Sequence, residues 1–129
     1  IPALLAKHFI PIMARSKPSV MAFLSARVGS ISDNALGGWY AYRASKAALN
    51  MIIKNLSIET KRMHPNKIIV GLHPGTVDSP LSKPFQANLK PDHIFSPEQS
   101  AQYLHQVLQQ LTPEHSGHCL DWQGHIIQP

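Results

Sequence analysis

The sequence predicts an α/β fold in which crossover helices connect three strands of a parallel sheet. Short continuous apolar runs, typical of strands buried on both faces, alternate with longer segments whose apolar residues recur at helical spacing. The resulting order is α-β-α-β-α-β, the pattern of a parallel sheet with crossover helices. With 129 residues, the chain is expected to form one domain, 1–129.

The first predicted helix and strand lie before residue 25. Residues 1–13 carry Leu4, Phe9 and other apolar side chains at helical spacing, which predicts a helix. Pro18 interrupts the chain, and the apolar run from Val20 to Leu24 predicts the first buried strand. The segment "RVGSISDNALGG" that follows has the composition of a loop.

The second helix is predicted from about Ala41 to Met63, because its pattern is helical without a break and Pro65 follows it. The run from Ile68 to Leu72 predicts the second buried strand, which Pro74 and Gly75 end. One face of the helix is a predicted polar stripe: Lys46, Asn50, Lys54, Ser57 and Lys61.

A long loop punctuated by prolines is predicted up to about Phe95. Ser96 and Pro97 then predict a helix start, with a capping serine and proline at the first helical position. The segment "GHCLDW" predicts the last short strand. The apolar face of the third helix is expected to consist of Ala101, Leu104, Leu108 and Leu111.

Composition argues against several classes of function. The net charge of +5 raises the possibility of nucleic-acid binding, but the basic residues are scattered and only Lys61 and Arg62 are adjacent. No apolar run approaches the roughly 18 residues that a membrane span needs. The single cysteine, Cys119, leaves no internal disulfide and agrees with a reducing cytoplasm. Neither a nucleic acid nor a membrane is therefore the expected partner.

The stretch "GGWYAYRASKAALN" places Tyr42 and Lys46 four residues apart, on one side of a helix. A phenol titrates near pH 10, and an ammonium beside a phenol favours its ionised form. Such a pair can move a proton to or from a carbonyl oxygen. Spacing alone favours a surface pair on an amphipathic helix, so the catalytic interpretation needs support from the rest of the chain and both interpretations stay open at this point.

Four segments in order, "LSARVGSISDN", "GGWYAYRASKAALN", "IIVGLHPGTVDS" and "SGHCLDWQGHIIQP", resemble the short-chain dehydrogenase/reductase family. The last of them is similar to the C-factor-like and sniffer-like carbonyl reductase branch. This resemblance covers essentially the whole chain and favours the catalytic interpretation of Tyr42 and Lys46. It implies a Rossmann-type doubly wound parallel sheet and hydride transfer between NADP or NAD and a small carbonyl or alcohol substrate.

The resemblance also assigns roles to individual residues. Tyr42 is implied as the general acid/base, and Lys46 as the group that binds the nicotinamide ribose. Residues 81–95 are implied as a lid over the substrate, which agrees with an irregular loop beside a site. The segment implied to pass the nicotinamide consists of Pro74, Gly75, Thr76 and Val77, followed by the hydroxyl of Ser79.

The chain departs from the family at the catalytic serine. The family usually has a Ser-Ser pair before x-x-Gly, whereas here the pair reads Ser25-Ala26. Ser25 is expected to point to the opposite face if the strand continues to that residue. Ser30 reaches the site only if the loop folds back. Both serines remain candidates for the missing hydroxyl.

A second departure is the absence of any glycine-rich turn of the kind that receives a dinucleotide pyrophosphate. The residue that would choose between NAD and NADP is absent as well. The chain therefore resembles the C-terminal half of a reductase, and the strand Val20–Leu24 is expected to have an uncovered edge. Its expected partner is a second copy or a missing N-terminal half. The alternative is a truncated, inactive fragment that acts as an interaction or signalling module.

No metal site is predicted, because the spacing of the histidines near Cys119 matches no standard zinc pattern. These histidines are His115, His118 and His125.

The aromatic residues outside the catalytic pair are interpreted as packing groups. They are Trp39, Tyr40, Tyr103 and Trp122. Trp39 and Tyr40 lie near enough to Tyr42 in the sequence to line a pocket.

Overall fold

Three parallel strands form the centre of the computed structural model, which describes residues 1–87, 89 and 93–129. The helices are α1 Pro2–Phe9, α2 Tyr40–Met63 and α3 Pro97–Gln109. The strands are β1 Ser19–Leu24, β2 Lys67–His73, β3 Thr76–Val77, β4 Ile94–Phe95, β5 Cys119–Asp121 and β6 Ile126–Ile127. The sheet has the order β1-β2-β5-β6, with β1 and β5 parallel to β2 and β6 antiparallel to β5.

The helices cover both faces of the sheet, so the predicted doubly wound α/β class is confirmed. On one face, α1 and α2 bury a cluster that includes Phe23, Ile53 and Ile69. On the other face, α3 packs Val107 against Val70 and its neighbours. The central strand β2 supplies both clusters, and its continuous apolar sequence therefore predicted burial on two faces correctly.

The edge strand β1 corrects the prediction of burial on both faces. Phe23 is buried under α2, but Val20 and Leu24 on the opposite face are 39% and 62% exposed. The reason is that β1 lies at the end of the described sheet, beyond the cluster that α3 covers. Its register with β2 runs from Ser19 opposite Lys67 to Leu24 opposite Leu72.

Two helix faces also differ from their predicted patterns. Ser57, predicted in the polar stripe of α2, is buried, because Gly117 approaches so closely that an added Cβ would stand 2.3 Å from Ser57 Oγ. In α3, Ala101 is exposed and the buried apolar residue is Val107. The start of α3 is as predicted, since Ser96 Oγ accepts the Gln99 amide in a capping box.

The short strands β3, β4 and β6 were not predicted. β3 and β4 pair in parallel within the segment expected to be an irregular loop, and β6 follows the strand expected to be last. Strands of two residues have no measurable periodicity, so the sequence carries no signal for them. Among the described residues, no helix is both long enough and apolar enough to cross a membrane.

Candidate active site

A double-glycine turn leads into α2 and determines where Tyr42 lies. Gly37 and Gly38 have φ of 65° and 68°, a region that glycine adopts without strain, and Trp39 follows with φ of 50°. Arg43 donates from Nε to the carbonyl oxygens of both glycines, at 3.2 and 3.1 Å. Tyr42 is thereby held in the first turn of α2, at the end of the helix that faces the loops.

The structure brings Tyr42 and Lys46 together. Lys46 Nζ lies 5.8 Å from the centroid of the Tyr42 ring and donates a hydrogen bond to Leu24 O at 3.0 Å. The Tyr42 side chain remains 43% exposed. The ammonium is therefore anchored at the carboxyl end of β1, beside a phenol that is open to a ligand.

The loop after β1 packs directly on this part of α2. A Cβ added to Gly29 would stand 2.7 Å from the backbone carbon of Lys46, so only glycine allows the approach. Arg43 Nη1 also donates to Val28 O at 3.3 Å. The short 3-10 turn Arg27–Gly29 consequently touches the helix at the level of the Tyr42–Lys46 pair.

Both candidate serines are buried and hydrogen-bonded elsewhere. Ser25 Oγ donates to Asn50 Oδ1 at 2.6 Å, and Asn50 lies two turns along α2 from Tyr42, about 12 Å along the axis. Ser30 Oγ accepts the Asp33 amide at 3.0 Å and so stabilises its own loop. Ala26 is buried too, at 8% exposure. These contacts direct neither hydroxyl to Tyr42, and the catalytic role of each serine stays a prediction.

The segment after β2 is held by close contacts. Gly75 has φ of 75°, and a Cβ there would meet the ring of Phe95 at 2.5 Å. The oxygen of Pro74 accepts a hydrogen bond from Ser100 Oγ at 3.0 Å. Thr76–Val77 then pairs with β4. This part of the predicted cofactor segment has a defined backbone before any ligand binds.

Ser79 and the start of the predicted lid form a serine-rich turn. Ser79 Oγ lies 3.3 Å from Ser82 Oγ, and Ser82 Oγ donates to the oxygen of Val77. A 3-10 turn, Lys83–Phe85, follows. Residues 88 and 90–92 of the predicted lid lie outside the described residues.

A cavity of about 460 Å³ opens at the carboxyl end of β2. His73 lies in its wall, and no described residue offers a hydrogen-bond partner to its Nδ1 atom. Burial and the nearby Arg27 lower the pKa of His73 to about 4, although Asp121 opposes the shift. The other lining residues are Gly75, Thr76, Leu89, His93, Phe95 and Trp122.

An ion pair that the sequence analysis missed spans the carboxyl end of the sheet. Arg27 Nη2 lies 3.1 Å from Asp121 Oδ2, and Asp121 is 4% exposed. The Asp121 carboxylate also accepts the amides of Gln123 and His125. The two partners are 94 residues apart, so no local pattern could reveal the contact.

Comparison with known proteins places this geometry in a family, although no family model matches the chain. The protein named C-signal, from Myxococcus xanthus, is 38% identical over 105 residues, which cover 81% of this chain and 57% of that protein. The carbonyl reductase Sniffer of D. melanogaster superposes with a TM-score of 0.84 at 27% identity, over 99% of this chain and 52% of that one. The chain belongs to the short-chain dehydrogenase/reductase family.

A second structure of this family is the NADPH-bound carbonyl reductase from chicken fatty liver, with a TM-score of 0.81 at 28% identity. The match again covers 99% of this chain and 52% of the chain of the chicken protein. The chain thus spans about half the length of the relatives that it matches. The family to which it belongs is one of oxidoreductases.

The aromatic residues outside the catalytic pair differ in how they are packed. Tyr103, Trp122 and Phe95 pack edge-on or tilted, with ring centroids 4.7 to 5.3 Å apart, so the packing interpretation of Tyr103 and Trp122 is confirmed. Trp39 lies under Arg43, whose Cζ is 5.7 Å from the ring centroid, and Tyr40 is 87% exposed.

The histidines His115, His118 and His125 do not form a metal-binding cluster with Cys119. Within the described ranges, no group of three or more histidine, cysteine, aspartate or glutamate side chains could hold a metal ion. His115 Nδ1 accepts the Thr112 amide, which closes the turn before β5. Burial raises the pKa of the Cys119 thiol to about 11, so this thiol stays protonated at neutral pH.

The low pKa of His73 predicts a loss of stability in acid. The folded chain holds His73 neutral down to about pH 4, whereas an unfolded histidine takes up a proton at 6.5. The stabilisation is complete above pH 6.5 and is lost as the pH falls from there toward 4, with about 2 kcal/mol gone at pH 5. Chemical denaturation at pH 7.5 and at pH 5 measures this difference in the free energy of unfolding.

The comparison that isolates His73 uses two variants. His73→Gln should lose less stability than the wild type between these pH values, by about 2 kcal/mol. His105→Gln, at an exposed position on α3, should follow the wild type. Equal acid losses in the wild type and His73→Gln would contradict the burial of a neutral His73.

Proposed function

We propose that the protein is an NAD(P)-dependent oxidoreductase that transfers a hydride between nicotinamide and a small carbonyl or alcohol substrate. The observation that carries the proposal is the Tyr42–Lys46 pair. Its ammonium lies 5.8 Å from the phenol ring, is anchored on β1, and leaves the phenol 43% exposed. A proton donor that is both ordered and accessible is what carbonyl reduction requires.

The residues present fit the nicotinamide-ribose end of a dinucleotide. Lys46 uses one hydrogen bond on Leu24 O, and an ammonium has three donors, so two remain for ribose hydroxyls. The Pro74–Gly75 backbone is already held by Ser100 and Phe95, which suits a surface that receives a flat ring. Ser79 and the lid segment 81–95 complete the proposed site. NADPH is bound by the chicken carbonyl reductase, and we extend NADP or NAD to this protein as its cofactor.

The proposed chemistry divides between cofactor and chain. When bound, the reduced nicotinamide supplies the hydride that adds to the carbonyl carbon. Tyr42 donates its hydroxyl proton to the carbonyl oxygen, which completes the alcohol. Lys46 stabilises the phenolate that the proton leaves behind, because opposite charges a few ångströms apart attract in a partly buried site. In the direction of alcohol oxidation, the same tyrosine accepts the proton.

The hydroxyl that polarises the carbonyl in the family has no counterpart at Ala26. Ser25 and Ser30 are the proposed substitutes, yet each already has a hydrogen-bond partner. Ser30 Oγ accepts the Asp33 amide and so keeps its own proton to donate, with Ser32 Oγ 3.4 Å away as its other partner. By contrast, Ser25 Oγ already donates its proton to Asn50 Oδ1. Ser30 is therefore the better supported of the two.

The test is a direct assay with NADPH and NADH against a panel of aldehydes and ketones. The protein for this and for every later kinetic or cofactor-binding assay has the length of the relatives, because the 129-residue chain has no glycine-rich turn to receive the pyrophosphate. Oxidation of the cofactor that depends on a carbonyl compound supports the proposal, and the product alcohol is identified by mass spectrometry. If neither cofactor is consumed with any carbonyl, the oxidoreductase proposal fails. A non-catalytic interaction or signalling module then becomes the better account.

The uncovered edge of β1 leads to a proposal about association. Beside it lies an apolar groove of about 390 Å³, lined by residues of β1, by Phe9 at the end of α1 and by the segment that follows α1. An edge strand with free backbone groups and exposed apolar side chains favours pairing with another strand. We propose that a second copy of the 129-residue chain covers this edge of β1 when no other protein is present. In a longer protein with the length of the relatives, an N-terminal half takes that place.

Sedimentation velocity of the 129-residue chain tests this association. The wild type is expected to sediment as a dimer or larger species. Val20→Lys, which places a charge on the exposed face of β1, should shift it toward the monomer, while Ile31→Lys on an exposed loop should not. A well-behaved wild-type monomer would show that the edge needs no partner.

A further inference from the structure

The ion pair between Arg27 and Asp121 connects the ends of two strands that are not neighbours. Arg27 follows β1, Asp121 ends β5, and β2 lies between those strands. Arg27 Nη2 reaches over the end of β2 to Asp121 Oδ2 at 3.1 Å. The pair therefore holds the loop after β1 at a fixed position across the carboxyl end of the sheet.

Asp121 is a rigid anchor for this contact. Its carboxylate is buried, and Oδ1 accepts the amides of Gln123 at 3.0 Å and His125 at 2.9 Å. These bonds fix the carboxylate within the turn between β5 and β6. Asp121 Oδ2 accepts the Arg27 guanidinium and lies 3.7 Å from His125 Nδ1. Arg27 is half exposed and also contacts Asp33 at 3.4 Å.

The loop that Arg27 holds is the loop that packs on the proposed catalytic pair. Gly29, two residues after Arg27, contacts the backbone of Lys46, and Val28 O accepts a hydrogen bond from Arg43. Lys46 Nζ in turn donates to Leu24 O, just before the loop. The loop after β1 thus connects the Lys46 ammonium to the Arg27–Asp121 ion pair.

We propose that Arg27 is a positioning residue, which acts with Asp121 to hold the loop 26–30 against α2 and so keeps Lys46 and Tyr42 in register for proton transfer. The proposal rests on the proposed oxidoreductase function. It assigns Arg27 a role that is exerted through the loop and not through contact with substrate or cofactor. Misplacement of a catalytic group by a fraction of an ångström lowers turnover without abolishing binding.

The test compares substitutions that remove the ion pair from either side. Arg27→Met keeps the length of the side chain, and Asp121→Asn keeps the oxygen that accepts the two amides. Each is expected to lower kcat on the order of 10-fold and to change KM for the carbonyl compound less than about twofold. Arg27→Lys should restore part of kcat, while Arg62→Met, at an exposed position on α2, should match the wild type.

The double variant and hydrogen exchange provide further readouts, and two of these, the unfolding constants and the exchange rates, need no activity. If the two residues act as a pair, the second substitution adds less than about twofold to the loss, and the unfolding constants show non-additivity of at least about twofold. The Gly29 amide, which donates to Ala26 O, should exchange faster in Arg27→Met, whereas the amide of Val70 in β2 should not change.

Two results overturn the positioning role. One is a wild-type kcat in Asp121→Asn, which removes the charge but keeps the turn. The other is unchanged exchange at Gly29 in Arg27→Met. The proposed function fails in a different way: if Tyr42→Phe keeps full activity, the catalytic assignment falls, while non-additivity and the exchange difference can still be observed.

Discussion

Tyr42→Phe is expected to lower kcat for carbonyl reduction by about 10²- to 10⁴-fold, the range for loss of a general acid. The substitution removes only the hydroxyl, so the ring that lies 5.8 Å from the Lys46 ammonium stays in place. Binding of NADPH should consequently change little. Steady-state kinetics give the first quantity, and calorimetric titration of the cofactor gives the second.

The chain offers a matched control two residues away. Tyr40 is also on the first turn of α2 but is 87% exposed, and Tyr40→Phe should keep activity within about twofold of the wild type because exposed substitutions have small effects. Activity of Tyr42→Phe within a few-fold of the wild type would remove Tyr42 from the mechanism. A loss in both variants would point to damage at the start of the helix instead.

Lys46→Met is expected to lower kcat/KM by about 10- to 100-fold, because a hydrogen bond to a charged group contributes roughly 1.5–3 kcal/mol. Methionine keeps an unbranched apolar side chain beside Gly29 while it removes the ammonium that donates to Leu24 O. Loss of the proposed ribose contacts should also weaken NADPH binding. This weakening distinguishes the effect of Lys46 from that of Tyr42, whose substitution leaves the cofactor bound.

Lys54 provides the control for Lys46. It lies on α2 two turns further along and is exposed, so Lys54→Met removes the same charge from the same helix without touching the pair. The control should retain both activity and cofactor affinity. If Lys46→Met and Lys54→Met behave alike, the ammonium at position 46 has no specific role.

Local sequence signals were sufficient for the elements that carry the proposed chemistry. The 24 residues of α2 follow one uninterrupted helical pattern, and a spacing of four placed Tyr42 and Lys46 on one side of it. The capping serine and proline predicted the start of α3 for a similar reason. In each case the interaction is between residues within one or two helical turns, so the sequence around them contains the necessary information.

The exposure of β1 could not be predicted from local sequence signals. Its apolar run is as continuous as that of β2, yet β2 is buried and Val20 and Leu24 are not. Burial depends on which elements lie on each side of a strand, and β1 stands at the edge of the described sheet. An apolar run indicates a strand that can be covered, without indicating what covers it.

The amino-acid sequence by itself determined the order of helices and strands, the family resemblance and the Tyr42–Lys46 pair. Only the tertiary structure decided that Ser25 bonds to Asn50, that Ser30 caps its own loop, and that Arg27 meets Asp121. The last two partners are 94 residues apart and come together because parallel strands deliver their carboxyl ends to one edge of the sheet. Contacts between distant residues follow from topology, and a one-dimensional pattern holds no period that reports them.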